Sequence, residues 1–544
     1  MTTKRISGVG RLRGGSAEAQ RPGLVRTKHP VGDVGSRRLS RFRRFRRSTQ
    51  ANAERKSPGT SMQREQSPNG SVGTVDAVVI VPGIMGSTLD LLDGGSQRQV
   101  WGLGTAMATS AGVASKARLA DLRVRDAELT GELRRFVPSG LVMLPQWLPG
   151  FGGIEPYWRI VRTATETVLH PDAVLAFAYD WRLDVEHNAR LLARAANAHL
   201  KRWRDHERLR ELRSRRNDDR EPRLVFLAHS MGGLLVRAMS WLDVEQPETR
   251  AVVTLATPFA GSVKAMAMLA GGRRGPSAEA ARLACSTMPG VYDLLPWYRC
   301  LLADDDVLVL GEADVVTVGG RPDLVAQAFQ RRGRTTTAAL TGHRAVIGVG
   351  QDTAQSLELR GTQVLTRNWG YRRNQRGELI RESGRLTTED FGGDGTVFRY
   401  AAGAPSAAVI PVAQRHESVA ANKSALHLVR NVLTEAADLD TVLGGDEAET
   451  PLGLSAPDAL VPGAELEIRI RSDRRPGEIT CVLEDTGRND RVVRKPDVRG
   501  RPDGDVYVVR TVLDAPGLHR IRVAAGSSEV TELVMVDAAV ADAG

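Results

Sequence analysis

The chain has 544 residues, 41% of them hydrophobic, and a formal net charge of +11 at neutral pH. A chain of this length can bury a large core and is long enough for two or more domains. The excess charge lies in residues 1–61, which hold 16 Lys and Arg against 3 Asp and Glu, while the rest holds 59 against 61. A near-neutral body argues against nucleic-acid binding by the folded domains.

The basic segment is predicted to be a disordered tail, residues 1–70. It contains no apolar stretch long enough for a signal peptide, and no run of about 20 apolar residues suggests a transmembrane helix. Translation from Met62, where the globular pattern begins, is an alternative in which the tail is not made. Three cysteines offer neither a disulfide framework nor metal-ligand spacing. We therefore expect a cytoplasmic protein, with peripheral contact to a membrane surface as a further expectation.

Six short apolar segments alternate with helical patterns through the middle of the chain. Val and Ile occupy both faces of these segments, which predicts a mostly parallel sheet covered by helices on both sides. The sequence therefore predicts an α/β domain over residues 71–442. Long inserts at about 95–155 and 265–340, and a shorter one at 360–390, have the size of lids or binding loops. The six segments are residues 76–83, 173–181, 223–230, 251–258, 345–351 and 407–412.

The pattern changes after residue 442. Residues 443–460 are predicted to form a linker. Residues 461–538 contain short runs with alternating apolar and polar positions, bounded by Gly, Pro and Asp, which predicts an all-β, immunoglobulin-like sandwich. No cluster of catalytic residue types is visible in this domain.

The segment RLVFLAHSMGGLLV (223–236) interrupts an apolar pattern with a polar, glycine-rich turn. A strand, a sharp turn and a helix in this order form the nucleophile elbow, in which the residues two before and two after the serine must be small. AHSMG meets this demand with Ala228 in place of the usual glycine. The alternative is a helix that begins after a strand, with Ser230 near its N-cap.

A serine nucleophile needs a base and an acid that orients the base. Asp394 in FGGDGTVF and His416 in AQRHESV follow Ser230 in the order nucleophile, acid, base. Individually they are typical of a turn aspartate and of a capping or solvent-exposed histidine, but together they favour a triad. His427 is a rival base, although its position within a helical pattern favours packing or exposure.

The oxyanion of an acyl intermediate needs two backbone N–H donors. Met231, directly after the serine, is one candidate. Ile84 in VVIVPGIMGS, after an early strand, is the other. The alternative for the loop that carries Ile84 is an ordinary glycine-rich turn that binds no oxyanion.

Seven motifs follow one another over residues of about 75–435: VIVPGIMGSTL, AYDWRLD, FLAHSMGGLL, LATPFAGS, MPGVYDLLP, GDGTV and RHESV. In this combination they resemble the lecithin:cholesterol acyltransferase-like α/β-hydrolases. The resemblance implies an α/β-hydrolase fold with lid or cap inserts, with Ser230 as nucleophile, Asp394 as acid, His416 as base, and Ile84 and Met231 as oxyanion donors. It does not extend to the C-terminal sandwich.

The substrate class rests on weaker signals. The apolar insert SGLVMLPQWLPGFGG (139–153), with Trp147 and Phe151, predicts either a lid for an acyl chain or ordinary core. Pro258 and Phe259 are candidates for an acyl pocket or for core packing.

Together with the resemblance, these signals indicate a serine-dependent lipid acyl hydrolase or O-acyltransferase with a lipid or ester substrate. The motifs imply no metal and no organic cofactor. The alternatives are a small-ester or peptide hydrolase and a non-catalytic binding or scaffold protein on the same fold.

Overall fold

A computed structural model describes residues 73–102, 113–148, 152–216, 220–270, 276–334, 339–404, 407–435, 452–488, 490–499 and 505–537. The predicted tail, residues 1–70, lies outside this part of the chain. The described residues divide into two units, a first one that holds only residues 374–378 and a second one that holds all the others. The fold described below is that of the second unit.

The strands are β1 (Ala77–Val81), β2 (Ser87–Asp93), β3 (Ser96–Trp101), β4 (Phe136–Leu141), β5 (Gln146–Leu148), β6 (Gly152–Ile154), β7 (Val174–Ala176), β8 (Leu224–His229), β9 (Thr249–Leu255), β10 (Leu301–Ala303), β11 (Asp306–Leu308), β12 (Arg344–Val349), β13 (Ser356–Arg360), β14 (Gln363–Arg367), β15 (Gly370–Tyr371), β16 (Arg381–Glu382), β17 (Arg385–Leu386), β18 (Thr388–Glu389), β19 (Ala408–Ala413), β20 (Leu452–Ser455), β21 (Ala459–Leu460), β22 (Glu465–Ser472), β23 (Ile479–Asp485), β24 (Arg491–Arg494), β25 (Val506–Val512), β26 (Gly517–Ala525) and β27 (Ser528–Val536).

The α-helices are α1 (Val113–Asp121), α2 (Asp126–Leu129), α3 (Trp158–Thr167), α4 (Val185–Arg204), α5 (Glu207–Arg216), α6 (Met231–Ala238), α7 (Val263–Leu269), α8 (Pro276–Cys285), α9 (Pro289–Tyr292), α10 (Glu312–Thr317), α11 (Pro322–Arg334), α12 (Arg399–Ala402) and α13 (Lys423–Thr434). Short 3-10 helices occupy Pro171–Ala173, Met239–Trp241, His416–Ala421, Pro476–Glu478 and Thr486–Arg488.

The central sheet contains six parallel strands in the order β19, β12, β9, β8, β1, β7. All six come from the apolar segments that predicted them, and every residue of β1 and β8 is buried. With its flanking helices this is an α/β-hydrolase fold, which confirms the predicted fold class. After β1 the chain runs to β7 on one side and then to β8 on the other. The carboxyl ends of β1 and β8 therefore flank the topological switch point, where open α/β sheets bind ligands.

The inserts form small substructures beside this sheet. The described residues of the apolar insert, 139–148 and 152–153, do not form one helix, because proline and glycine interrupt helical backbone. It contains the end of β4 and an antiparallel pair, β5 with β6, in which Trp147 lies opposite Gly153. The helical pattern between the second and third apolar segments forms two helices, α4 and α5, which are separated by Asp205 and His206.

The C-terminal region forms two sheets, β20-β22-β25 and β21-β27-β26-β23-β24, consistent with the predicted sandwich. Alternate residues of β22, namely Leu466, Ile468 and Ile470, are fully buried in its core. Pairing begins at Leu452, inside the predicted linker, because β20 pairs with β22 and β21 with β27. Strands of four and two residues are too short to produce a readable alternation, so the sequence pattern did not reveal them.

Within the described part of the chain, no helix combines the length and the apolar character needed to cross a membrane.

Candidate active site

Ser230 lies at the sharp turn between β8 and α6. Its backbone adopts φ +52°, a conformation that residues other than glycine seldom adopt and that costs on the order of 1 kcal/mol or more. Hydrogen bonds hold the turn, since the Ser230 N–H donates to the Leu255 carbonyl at 2.8 Å and its carbonyl accepts from the Gly233 N–H at 3.0 Å. A side chain at Gly232 would lie 2.5 Å from the Val81 carbonyl oxygen. The predicted strand, turn and helix are present, and Ala228 is fully buried within β8.

The structure brings the three predicted residues of the triad together. The Ser230 Oγ lies 2.9 Å from Nε2 of His416, and Nδ1 of the same imidazole lies 2.8 Å from Oδ2 of Asp394. All three residues are buried. The rival base His427 is exposed on α13 and takes no part in this chain of hydrogen bonds.

Asp394 is held by the loop that carries it. Its Oδ1 accepts hydrogen bonds from the backbone N–H groups of Thr396 and Val397, at 2.9 and 2.6 Å, which leaves Oδ2 for the imidazole. The Asp394 carbonyl accepts from the His416 N–H at 2.8 Å. Because the carboxylate is fixed on both oxygens, it also fixes the orientation and tautomer of the ring.

The charge state of His416 follows from two opposing effects. Burial disfavours the imidazolium, whereas the adjacent carboxylate of Asp394 favours it, and the net result raises the pKa of His416 above its usual value. The ring is therefore basic enough to receive a proton from a serine hydroxyl.

The predicted oxyanion donors flank the serine. Ile84 lies in the loop after β1 and lines the same cavity as Ser230. Met231 is the first residue of α6, where backbone N–H groups lack helical acceptors. Glycine is required at position 83, because a side chain there would lie 2.8 Å from the Ser230 Cβ.

A buried hydrogen-bond network that the sequence did not reveal joins these parts. The Gly83 N–H donates to the Tyr157 hydroxyl oxygen at 2.9 Å, and that hydroxyl lies 2.7 Å from Nδ1 of His229. Nε2 of His229 lies 3.0 Å from the His416 carbonyl, which only accepts, so Nε2 carries the proton and the tyrosine donates to Nδ1. Burial and the nearby His416 lower the pKa of His229 to about 3, so its ring is neutral. His229 was visible beside the serine, but no spacing pointed to Tyr157.

A mostly apolar cleft of about 660 Å³, partly open to solvent, leads to Ser230 and His416. Pro258 lies in its wall, at one of the positions predicted for an acyl pocket. Lys264 and Glu417 also lie in the wall, and their oppositely charged Nζ and Oε1 atoms are 3.9 Å apart. The lysine also donates to the Thr396 hydroxyl at 3.2 Å. The apolar residues in the wall are Ile84, Met85, Gly153, Ile154, Pro258, Ala265, Met268, Leu294 and Val397.

Two other predicted substrate-binding residues, Trp147 and Phe259, do not line this cleft. Trp147 packs against the C-terminal sandwich and donates from Nε1 to the Asp458 carbonyl at 3.0 Å. Phe259 lines a separate cavity, with the Arg237 guanidinium 4.9 Å from its ring centroid. Phe151 lies outside the described residues. Apolar residues near a motif serve the core as readily as a pocket, and only their tertiary neighbours distinguish the two roles.

One group of described residues has the ligand types and spacing to hold a metal ion: His170, Asp172 and His206. Oδ2 of Asp172 lies 3.5 Å from Nδ1 of His170 and 3.1 Å from Nε2 of His206. The group lies before the amino end of β7, whereas Ser230 follows the carboxyl end of β8. It takes no part in the candidate active site.

Residues 152–313 match the family model of lecithin:cholesterol acyltransferase. The matched range contains the Ser230 elbow, whereas Asp394 and His416 lie beyond it. The family resemblance predicted from the motifs is confirmed. No curated protein sequence matches the chain significantly.

Three solved structures show only distant likeness. Lipase BlEst2 of Bacillus licheniformis, in its propeptide form, is 11% identical, with 84% of this chain and 73% of that chain covered and a TM-score of 0.23. A superoxide reductase from Ignicoccus hospitalis is 12% identical, over 15% of this chain and 78% of its own, with a TM-score of 0.13. The sulfur carrier protein SoxY from Chlorobium limicola is 19% identical, over 18% and 94%, with a TM-score of 0.12. TM-scores this low carry no functional argument.

Proposed function

We propose that this protein is a serine-dependent lipid acyl hydrolase or O-acyltransferase that works through an acyl-enzyme. The observation that carries the proposal is the continuous hydrogen-bonded chain from Asp394 through His416 to Ser230, set at the inner end of an apolar cleft. The family match over residues 152–313 supports lipid acyl esters as the substrate class.

Each residue has one role in the proposed reaction. Ser230 attacks the ester carbonyl while His416 takes its proton, and Asp394 orients and stabilises the imidazolium. The backbone N–H groups of Met231 and Ile84 bind the oxyanion. The proton then passes from His416 to the leaving alkoxide, and the acyl group stays on Ser230.

Water or an alcohol then accepts the acyl group, with His416 again acting as base. Whether hydrolysis or transfer dominates depends on how well the closed site excludes water. The apolar wall of the cleft, including Ile84, Met268 and Leu294, suits an acyl chain. Exposed apolar side chains at Met143 and Leu144 support contact with a lipid surface.

The test compares the protein with a Ser230→Ala variant on mixed vesicles of phospholipid and neutral lipid, with and without a long-chain alcohol. Products are identified by mass spectrometry. We expect free fatty acid or a new ester from the protein, and a loss of at least about a thousandfold in the variant, because the other groups cannot replace the nucleophile. Free fatty acid indicates hydrolysis, and a new ester indicates transfer.

The alternatives give different results in the same experiment. Undiminished product from a folded Ser230→Ala protein contradicts a serine mechanism. Turnover restricted to short soluble esters, measured with a chain-length series of p-nitrophenyl esters, favours a small-ester hydrolase. If the folded protein neither turns over any ester nor reacts with a fluorophosphonate probe, a binding or scaffold protein is favoured.

A further inference from the structure

The C-terminal sandwich contacts two segments of the candidate active site. One is the base loop, residues 414–418, which carries His416. The other is the wall segment, residues 153–157, which lines the cleft and ends at Tyr157. Both segments lie against two neighbouring strands of the sandwich, mainly β27 and in part β26.

The base loop is attached to β27 at both ends. The Gln414 side chain donates from Nε2 to the Glu529 carbonyl and accepts from the Thr531 N–H, each at 3.1 Å, so it continues the hydrogen bonding of the strand edge. The Thr531 hydroxyl lies 2.8 Å from the Ser418 hydroxyl. His416 therefore lies between two points that the strand holds in place.

Arg415 adds a buried ion pair beside the base. Its guanidinium lies 2.9 Å from a carboxylate oxygen of Glu532 on β27 and donates to the Leu454 carbonyl at 3.0 Å. The Glu532 side chain is 4% exposed. The same guanidinium packs against Gly395, where an added Cβ would meet it at 3.2 Å. The Arg415–Glu532 ion pair thus connects the sandwich with Gly395, which follows Asp394, and with Arg415 itself, which precedes His416.

The wall segment is held by packing and by a second ion pair. Leu533 of β27 approaches Gly153 so closely that a side chain there would lie 2.4 Å from it. Arg520 of β26 makes two hydrogen bonds to the Glu155 carboxylate, at 2.6 and 2.8 Å, and both side chains are nearly buried. The segment then continues to Tyr157, whose hydroxyl joins the oxyanion loop to His229.

We propose that the sandwich is part of the catalytic apparatus, with Thr531 and Glu532 as positioning residues for His416 and with Arg520 as a positioning residue for the wall of the cleft. The inference rests on the proposed function, because positioning matters only if His416 acts on Ser230. Displacement of a catalytic group by about 1 Å costs on the order of a hundredfold in rate. A loop that follows β19 gains the required precision from contact with a sheet.

The experiment uses the full chain and two matched comparisons. Thr531→Val removes the hydroxyl and keeps the shape, whereas Thr531→Ser keeps the hydroxyl. Glu532→Gln is compared with Glu467→Gln, since Glu467 forms an exposed ion pair with Arg510 elsewhere in the same domain. The measurements are the rate of Ser230 labelling by a fluorophosphonate probe, kcat and KM on one ester, and the melting temperature.

We expect Thr531→Val and Glu532→Gln to lower the labelling rate and kcat by about tenfold with KM within about twofold, because the base is displaced while the apolar wall of the cleft is unchanged. Thr531→Ser should retain most of the rate, and Glu467→Gln all of it. Arg520→Gln should mainly raise KM, because it releases the wall segment and not the base loop.

Folded Thr531→Val and Glu532→Gln proteins with wild-type labelling and kcat overturn the proposal. A loss of labelling rate and kcat that Thr531→Ser and Glu467→Gln also show overturns it as well. A loss that parallels the fall in melting temperature across all variants does the same, since either result indicates a purely structural role. Absence of labelling and turnover in the unaltered, folded protein overturns the proposed function itself, and the positioning role with it. This outcome is distinguishable from a loss of labelling and turnover that occurs only in the variants.

Discussion

His416 receives a proton from Ser230 only while its imidazole is neutral, so its protonation controls the proposed reaction. Burial lowers the pKa of this ring, but the charge and hydrogen bond of Asp394, whose Oδ2 lies 2.8 Å away, together with the charge of Glu417 raise it, and the net pKa lies above its usual value. The neighbouring His229 has a pKa of about 3 and stays neutral throughout the working range. One histidine therefore determines the acidic limb of the pH profile.

We expect kcat/KM to rise with pH through a single limb whose midpoint lies above about 6.5, the usual histidine value. The protonated ring, which dominates below the midpoint, is inactive. The measurement is the pH dependence of kcat/KM between pH 5 and 9. A midpoint at or below about 6.5 contradicts the assigned environment of His416.

Asp394→Asn should lower the rate by about ten-thousandfold in the same measurement, because the ring then loses its orientation and its counter-charge.

At the scale of elements, the site depends on the contact between the turn after β8 and the loop after β1. α6 begins so close to that loop that position 232 has no room for a side chain beside the carbonyl oxygens of Val81 and Pro82. These carbonyls belong to backbone and cannot rotate away. The proposed nucleophile and one proposed oxyanion donor are therefore placed by one backbone contact.

Gly232→Ala should displace the two elements relative to each other. We expect a loss of at least about a hundredfold in kcat and a destabilisation of about 1–3 kcal/mol from overpacking. Gly333→Ala is the control, because position 333 lies in α11 with open space around it and alanine favours a helix. Enzyme kinetics and denaturant unfolding of both variants test this. Equal activity in the two variants contradicts the tight contact.

At the scale of the whole α/β domain, a buried ion-pair network lies at the end of the sheet away from Ser230. Asp76 is fully buried there and forms ion pairs with Arg220 and Arg250, while its Oδ1 also accepts from the Arg223 N–H at 2.9 Å. Arg250 donates to the Val432 carbonyl in α13 at 3.0 Å. One carboxylate therefore links the starts of β1, β8 and β9 to the last described helix of the domain.

Asp76→Asn should destabilise the fold by about 3 kcal/mol, because it removes the buried charge that pairs with Arg220 and Arg250 and leaves them only the half-exposed carboxylate of Glu435. Activity at low temperature should be retained, since the carboxylate lies at the opposite ends of the strands from the triad. Asp514→Asn is the control, as its ion pair with Arg494 is exposed. Denaturant unfolding and kcat of both proteins test this, and a large loss of kcat in a folded Asp76→Asn protein contradicts it.

Local patterns predicted much of this architecture. The six buried strands were readable because parallel strands covered on both faces are continuously apolar. Ser230, Asp394 and His416 were identifiable as candidates because each lies in a short motif that follows a predicted strand. The sequence did not predict the edge strands β20 and β21, because strands of four and two residues are too short to show an alternating pattern.

The sequence by itself determined the fold class, the family resemblance and the three candidate catalytic residues, because hydrophobic period and local motif are properties of neighbouring residues. The tertiary structure alone decided that Tyr157 contacts His229, that Trp147 faces the sandwich and not the cleft, and that Glu155 pairs with Arg520. Tyr157 and His229 are 72 residues apart, and Glu155 and Arg520 are 365 residues apart. Trp147 and Asp458, its hydrogen-bond partner in the sandwich, are 311 residues apart. Contacts so distant in sequence arise from packing of whole domains, and no local pattern records them.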